Sequence, residues 1–374
     1  NSNGQIINTT VEASPFRDTG LKGPKIDYYN NGIVGWQGLN GLVEYSDKEK
    51  LTAVLQVGLS NQSFQREDFF DQPNNPISDT ANQGGGYIKG GANYNFNEVS
   101  NVFFNVGKIS RQPQFGAVFP NYANDINSDI QNEEITSVEL GYGFVGKKVS
   151  FNVNAYSTSW GNRFITTSLF GAQGDQGTAQ FRNIDVQHNG IEFEGTYQPT
   201  SNLKFKGMVS VGDWRYTKDF TSTLFDADQN VVGEGTLYLK DAKVGDAAQF
   251  TANLSADYRI GKTNLDLSYR FVDELYADYN IVDEVFKTPD NPGAVKLPSF
   301  GVLDGGVSTR FTLFGNQTSF RVNVNNILDT TYIAESETNI HTTATSDTWN
   351  GIDTRNSVWF GFGRTWNASL KYRF

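Results

Sequence analysis

Hydrophobic and polar positions alternate along most of this chain with a period of two. In SVELGYGF, Val138, Leu140, Tyr142 and Phe144 share one parity. IEFEGTYQ sets Ile191, Phe193 and Tyr197 against Glu192, Glu194, Thr196 and Gln198. QFTANLSADYRI sets Phe250, Ala252, Leu254, Ala256, Tyr258 and Ile260 against Gln249, Thr251, Asn253, Ser255, Asp257 and Arg259. FNVNAYST, LKFKGMVSV, NLDLSYRF and FRVNVN repeat the pattern. In the closing GRTWNASLKYRF, Trp366, Ala368, Leu370, Tyr372 and Phe374 are opposed to Thr365, Asn367, Ser369, Lys371 and Arg373. Successive side chains of a strand point to opposite faces, so each segment predicts a strand with one apolar and one polar face. Many run to about ten residues, beyond the usual five or six. About fourteen strands are expected, the first near residues 4–12.

The connections sort by length. Short ones fall at 46–50, 97–100, 145–148, 199–202, 261–263 and 315–317. Long ones fall at about 65–86, 111–134, 161–185, 218–247, 278–299 and 330–361. The two kinds strictly interleave. In an up-and-down antiparallel sheet this places all short turns at one end and all long loops at the other, as in outer-membrane barrels. A soluble β-sandwich or propeller also alternates, but with shorter strands and loops that do not sort by parity. Aromatics near strand edges (Tyr45, Trp160, Trp214, Tyr276, Tyr332, Trp359) are expected at membrane interfaces. The fold class is therefore all-β, a transmembrane antiparallel barrel.

Composition changes this picture little. The 374 residues carry a formal net charge of −11 and 14% aromatics. The acidic balance disfavours nucleic acid as a partner. No apolar run reaches the length of a membrane-spanning helix. The absence of cysteine excludes a disulfide scaffold. The start NSNGQIINTT has no initiator Met or leader pattern, so the chain is expected to be mature or a fragment.

No catalytic constellation is evident: His188 and His341 lack partners at metal spacing, and no P-loop, G-x-S-x-G or H-E-x-x-H occurs. Neither an enzyme nor a cofactor is expected. The glycines at 84–86 read as a flexible loop. DADQNVVGE places Asp226, Asp228 and Asn230 at the opening spacing of a Ca²⁺ loop, but Val231 stands where the sixth-position glycine should be, and Leu237 where the twelfth-position glutamate should be. Solvated loop acids are the better reading. Acids outnumber bases in most long loops, which suits a neutral or cationic ligand. Phe115, Phe119, Tyr122, Trp349 and Trp359 are candidates to stack on sugar rings or flat chelates; the alternative is that they anchor the loops.

The segments NVNNILDTTYI (323–333), 89–119, NEEITSVELGYGF (132–144), 25–46, 238–258 and the closing strand together resemble TonB-dependent outer-membrane receptors of the Bacteroidota type. In the first segment Asn325, Asn326, Leu328, Asp329 and Tyr332 match the pattern. The resemblance covers nearly the whole chain. It implies that residues 1–374 are the C-terminal part of a 22-stranded barrel, located in the outer membrane of a Gram-negative bacterium. No plug or TonB-contact segment is recognisable. The implied function is TonB-energised import of a scarce nutrient: a ferric siderophore, another metal chelate, an oligosaccharide or a peptide. A passive porin-like channel and a soluble carbohydrate-binding module are the alternatives. Implied partners are the TonB complex through an upstream region, outer-membrane lipid, the barrel-assembly machinery and a surface lipoprotein. Tyr372 and Phe374 would be the assembly signal.

Overall fold

The computed structural model describes residues 30–69, 74–120, 123–170, 176–226, 230–279 and 283–374. Strands follow one another from the start: β1 (Asn30–Ser46), β2 (Leu51–Asp68), β3 (Ala81–Asn97), β4 (Ser100–Arg111), β5 (Glu133–Val145), β6 (Val149–Phe170), β7 (Gln176–Thr200) and β8 (Leu203–Tyr216). A hairpin of β9 (Phe220–Phe225) and β10 (Val231–Leu237) comes next, then β11 (Phe250–Ile260), β12 (Thr263–Asp273), β13 (Phe300–Leu313) and β14 (Asn316–Asn325). The short strands β15 (Ile333–Ser336), β16 (Thr348–Trp349), β17 (Ile352–Asp353) and β18 (Val358–Phe360) precede the closing β19 (Thr365–Tyr372). One helical turn, α1 (Phe115–Val118), interrupts this order between β4 and β5.

Among the described residues fifteen strands form one antiparallel sheet in the order β1 through β8, then β11 through β14, then β19, with the β9–β10 hairpin added beside β7. The thirteen strands on the main path account for all but the first of the expected fourteen. That first strand, near 4–12, lies outside the described residues.

The register bears out the assignment of faces. Val138 pairs with Val106 and Ser157, Leu140 with Phe104 and Ala155, and Ile191 with Ala155 and Val211. Leu254 pairs with Gly207 and Tyr269, and Phe320 with Leu370. Opposed residues share a face, so one apolar surface runs across the sheet. It stays exposed, as at Leu140, Ile191, Leu254 and Leu370, and this is the lipid-facing surface of a barrel. Near the short turns it carries rings in contact: Tyr94 with Phe96, Phe144 with Phe151, Tyr197 with Phe205, and Tyr372 with Phe374. These form an interfacial girdle.

The short turns are held locally. The Asp47 carboxylate accepts the backbone N–H groups of Glu49, Lys50 and Leu51 at 2.7–2.9 Å. Those bonds favour its charged form and lower its pKa.

Several expectations are corrected. Gly84, Gly85 and Gly86 are not a loop: they lie within β3, opposite Asn61, Ser60 and Leu59. A side chain at Gly85 would collide with the amide of Gln112, which donates to Ser60 Oγ, so this glycine makes room for a chain crossing the strand. Most of 161–185 is likewise strand, since β6 and β7 pair out to Phe170 and Gln176. Trp160 and Trp214 do not meet lipid. Trp160 opposes Ile135, and Trp214 opposes His188, on the inward face.

Candidate ligand vestibule and lumen

The long connections fold into packed structure at one end of the sheet. Phe64, Ala81, Val118 and Phe119 form one core, under 111–134. A second joins Phe181, Ile184 and Val186 of β7 to Phe220, Leu237, Leu239 and Phe286. Burial there holds the Tyr279 hydroxyl well above its usual pKa, while the hydroxyl donates to the Lys243 carbonyl at 2.7 Å. A third joins Val272, Leu275 and Leu297 to Ile333 and Ile352. The last two long loops are stitched together further. Asn339 accepts from Val295 N at 2.7 Å and donates to the Gly293 carbonyl, and His341 Nε2 donates to the same carbonyl at 2.9 Å. A sizeable hydrophobic contribution therefore comes from the loop end, where water would otherwise wet these side chains.

The structure places the described candidate ligand aromatics at different loops, with Phe115 and Phe119 together. Phe119 is 4% exposed, packed beside Phe115 at a ring distance of 5.2 Å. Phe115 lies over Gly32 on the inward side of β1 and contacts Phe64. Trp349 is half-buried and meets Phe360 edge-on at 5.1 Å. Trp359 is 60% exposed, its Nε1 donating to Glu337 Oε1 at 2.8 Å. Tyr122 lies outside the described residues. Among the described residues, Phe115 and Phe119 share one loop core, Trp349 packs against another and Trp359 is exposed, so these four do not form one cage.

Two of the three calcium candidates lie among the described residues. Asp226 accepts the backbone and side-chain N–H groups of Asn230 at 2.9–3.4 Å, a local turn. Asp228 lies outside the described residues. Among the described residues no group of three or more acidic, His or Cys side chains is placed to hold a metal.

Ion pairing trims the acidity of the mouth. Glu133 is bonded to Arg111, and Glu134 lies 3.6 Å from Lys108. Asp353 is fully buried against Arg355 at 2.7 Å and accepts from Ser346, which together hold its carboxyl well below the usual range. Asp125, Asp129, Glu335 and Asp347 remain at the exposed surface.

Below the loops, the inward face is a polar wall that the alternation predicts. Asn105 and Asn154 both donate to Glu139 at 3.0 Å, and Asn154 also reaches Glu192 at 3.5 Å. Asn152 donates to Glu194 at 3.3 Å. On the other flank Arg321 forks onto Asp266 at 2.8 and 2.9 Å, the bidentate geometry of a strong pair. Any side chain at Gly306 would strike that pair. The wall thus carries glutamates on β5 and β7 and a paired Arg321–Asp266 on β14 and β12, an arrangement across strands that no short motif reveals. The terminal Tyr372 accepts from Asn316 Nδ2 at 2.7 Å, and Phe374 is fully exposed.

No curated protein matches the sequence. The chain resembles several solved structures. The copper transporter OprC is 17% identical with a TM-score of 0.63, over 92% of this chain and 48% of that one. The ferric-catecholate import receptor Fiu from K12 E. coli is 14% identical with a TM-score of 0.61, over 92% and 45%. The siderophore receptor PiuA from Acinetobacter baumannii is 12% identical with a TM-score of 0.62, over 91% and 43%. This chain therefore spans less than half the length of each. The family described as TonB dependent receptor-like, beta-barrel, matches residues 7–327. With lipid-facing strands, polar inner wall and folded loops in place, that match shows that this chain belongs to the TonB-dependent receptor β-barrel family.

Proposed function

We propose that this chain is the C-terminal wall and outer vestibule of a receptor that imports a scarce nutrient across the outer membrane, energised through TonB. The observation that carries the reading is the polar inner wall, where Asn105, Glu139, Asn154 and Glu192 form a hydrogen-bonded belt across β4 to β7 below a vestibule of packed loops. A wide barrel with such an interior is a passage, wet or plugged. Of the proteins that share the fold, Fiu is named a ferric-catecholate import receptor, PiuA a siderophore receptor and OprC a copper transporter. A metal chelate or other neutral to cationic solute fits the glutamate-bearing wall, since fixed charge in a low-dielectric cleft focuses the field on a passing ligand. An upstream plug and TonB-contact segment complete the receptor, and the remaining strands bring the barrel to 22. The Tyr372–Phe374 terminus serves the barrel-assembly machinery, and the exposed Trp359 rim is available to a ligand or a surface lipoprotein.

The test is uptake by the complete receptor in cells, with and without collapse of the proton-motive force. Energised import should stop on collapse. Transport that continues unchanged would overturn the reading in favour of a passive channel.

A further inference from the structure

The inward face changes character at its short-turn end. Across β11 to β19 its last positions carry cations. Arg259 of β11 faces Asn264 of β12, which faces Ser308 of β13. Two residues nearer the turn, Arg310 faces Ser319 of β14, and Ser319 faces Lys371 of β19. Arg373 follows Lys371 at the same parity, its backbone N–H bonded to the Gln317 carbonyl at 3.1 Å. Lys262 sits in the turn between β11 and β12. All five cations are exposed, and the strand residues paired with Arg259, Arg310 and Lys371 are neutral. The inward carboxylates two residues deeper, Asp257 and Asp266, are already engaged. Asp257 lies 3.9 Å from Lys206, and Asp266 is held by Arg321 at 2.8 Å. A chain with a formal charge of −11 thus keeps a net positive collar at one end of its inner wall.

We propose that this collar docks an acidic surface of the receptor's own upstream segment, the part that closes the lumen. Three features select this occupant. The collar spans β11, β12, β13, β14 and β19, four inter-strand steps of about 4.8 Å, or about 19 Å in all. One phosphate or carboxylate draws its donors to within about 2.7–2.9 Å of its oxygens, so it cannot engage cations spread this widely. Several carboxylates fixed on a folded polypeptide can. The collar also faces the lumen rather than lipid, at the end opposite the packed loops through which a ligand arrives. Finally, this chain spans less than half the length of OprC, Fiu and PiuA, and the remainder of the proposed receptor includes the segment inside the barrel. The inference rests on that reading of the chain as part of a plugged receptor.

The complete receptor, upstream segment included, is placed in planar bilayers, and its conductance is followed across a urea series at low salt and at about 1 M salt. The native receptor should stay closed until urea loosens the segment. The pair Arg310→Gln with Lys371→Gln should shift the closed-to-open equilibrium about fivefold toward open at low salt, as expected for two exposed ion pairs. At about 1 M salt, where the screening length is about 3 Å, the difference should vanish. Lys48→Gln, in another short turn, should change nothing. A zero-length carbodiimide should join Lys371 or Lys262 to aspartates or glutamates of the upstream segment, read by peptide mass spectrometry. An unchanged opening curve, or a shift equally large at high salt, overturns the charge contact. Cross-links absent from both lysines overturn the choice of partner. A pore already open without urea overturns the plugged-receptor reading instead, so the two failures are distinguishable. Heat-modifiable gel mobility reports that the variants are folded; if the double variant is not, the cross-links of the native receptor decide alone.

Discussion

Two neighbouring residues on β11 test the assignment of faces with a single chemistry. Leu254 is 61% exposed on the lipid side, opposite Gly207 and Tyr269. It stands six residues from Ile260, beside the short turn. At about 3.3 Å per residue and a tilt of about 45°, that is roughly 14 Å of depth, close to the middle of a ~25 Å apolar band. An arginine at that depth on the lipid face costs about 2–4 kcal/mol. At about 1.4 kcal/mol per decade, Leu254→Arg should lower the folded, inserted population relative to unfolded by about 30- to 1,000-fold. Asn253 faces inward, donating to Ser268 Oγ at 3.0 Å and accepting from Ser255 Oγ at 2.8 Å. Asn253→Arg forfeits these bonds, each worth about 1 kcal/mol net, and recovers part of the loss because a wet lumen resolvates the partners. The assay is refolding into lipid vesicles across a urea series, read by heat-modifiable mobility. Leu254→Arg should shift the midpoint several-fold further than Asn253→Arg. Equal shifts, or the reverse order, would refute the inside-out assignment of the sheet.

Two further outcomes follow from the loop cores. Phe119→Ala removes a ring that is 4% exposed, a change that typically costs about 3–5 kcal/mol, so limited proteolysis should cut 111–134 readily while the barrel keeps its heat-modifiable mobility. The Asp353 carboxyl is depressed by Arg355 and Ser346, so its stabilisation of the β16–β17 turn is present above the ordinary carboxylate pKa and fades as pH falls below that value toward its lowered one; hydrogen exchange at 346–356 should stay slow at pH 5 and quicken only in stronger acid, whereas Asp353→Asn should be fast at both.

Strand faces, the parity of the loops and the polar inner wall were determined by the sequence alone, because each depends on a period of two that neighbouring residues carry. Leu254 and Asn253 could be assigned to opposite faces before any pairing was known. The loop chemistry was not legible in this way. Gly84–Gly86 read as a flexible loop because glycine is permissive; only the register with Leu59–Asn61 and the crossing of Gln112 explain them as strand. Trp160 and Trp214 suggested membrane anchors by their closeness to a strand edge, yet their parity with Asn154 and Ser210 already puts them on the polar, inward face. Phe115 and Phe119 looked available for ligand, yet their burial is set by Phe64, about fifty residues earlier in the chain. The same limit applies to charge. A count of loop acids implies an open acidic mouth, but Glu133, Glu134 and Asp353 have partners fixed by strand register or by a local turn. Local periodicity decides which way a side chain points. What it meets there depends on contacts between distant segments, and those only the tertiary structure decides.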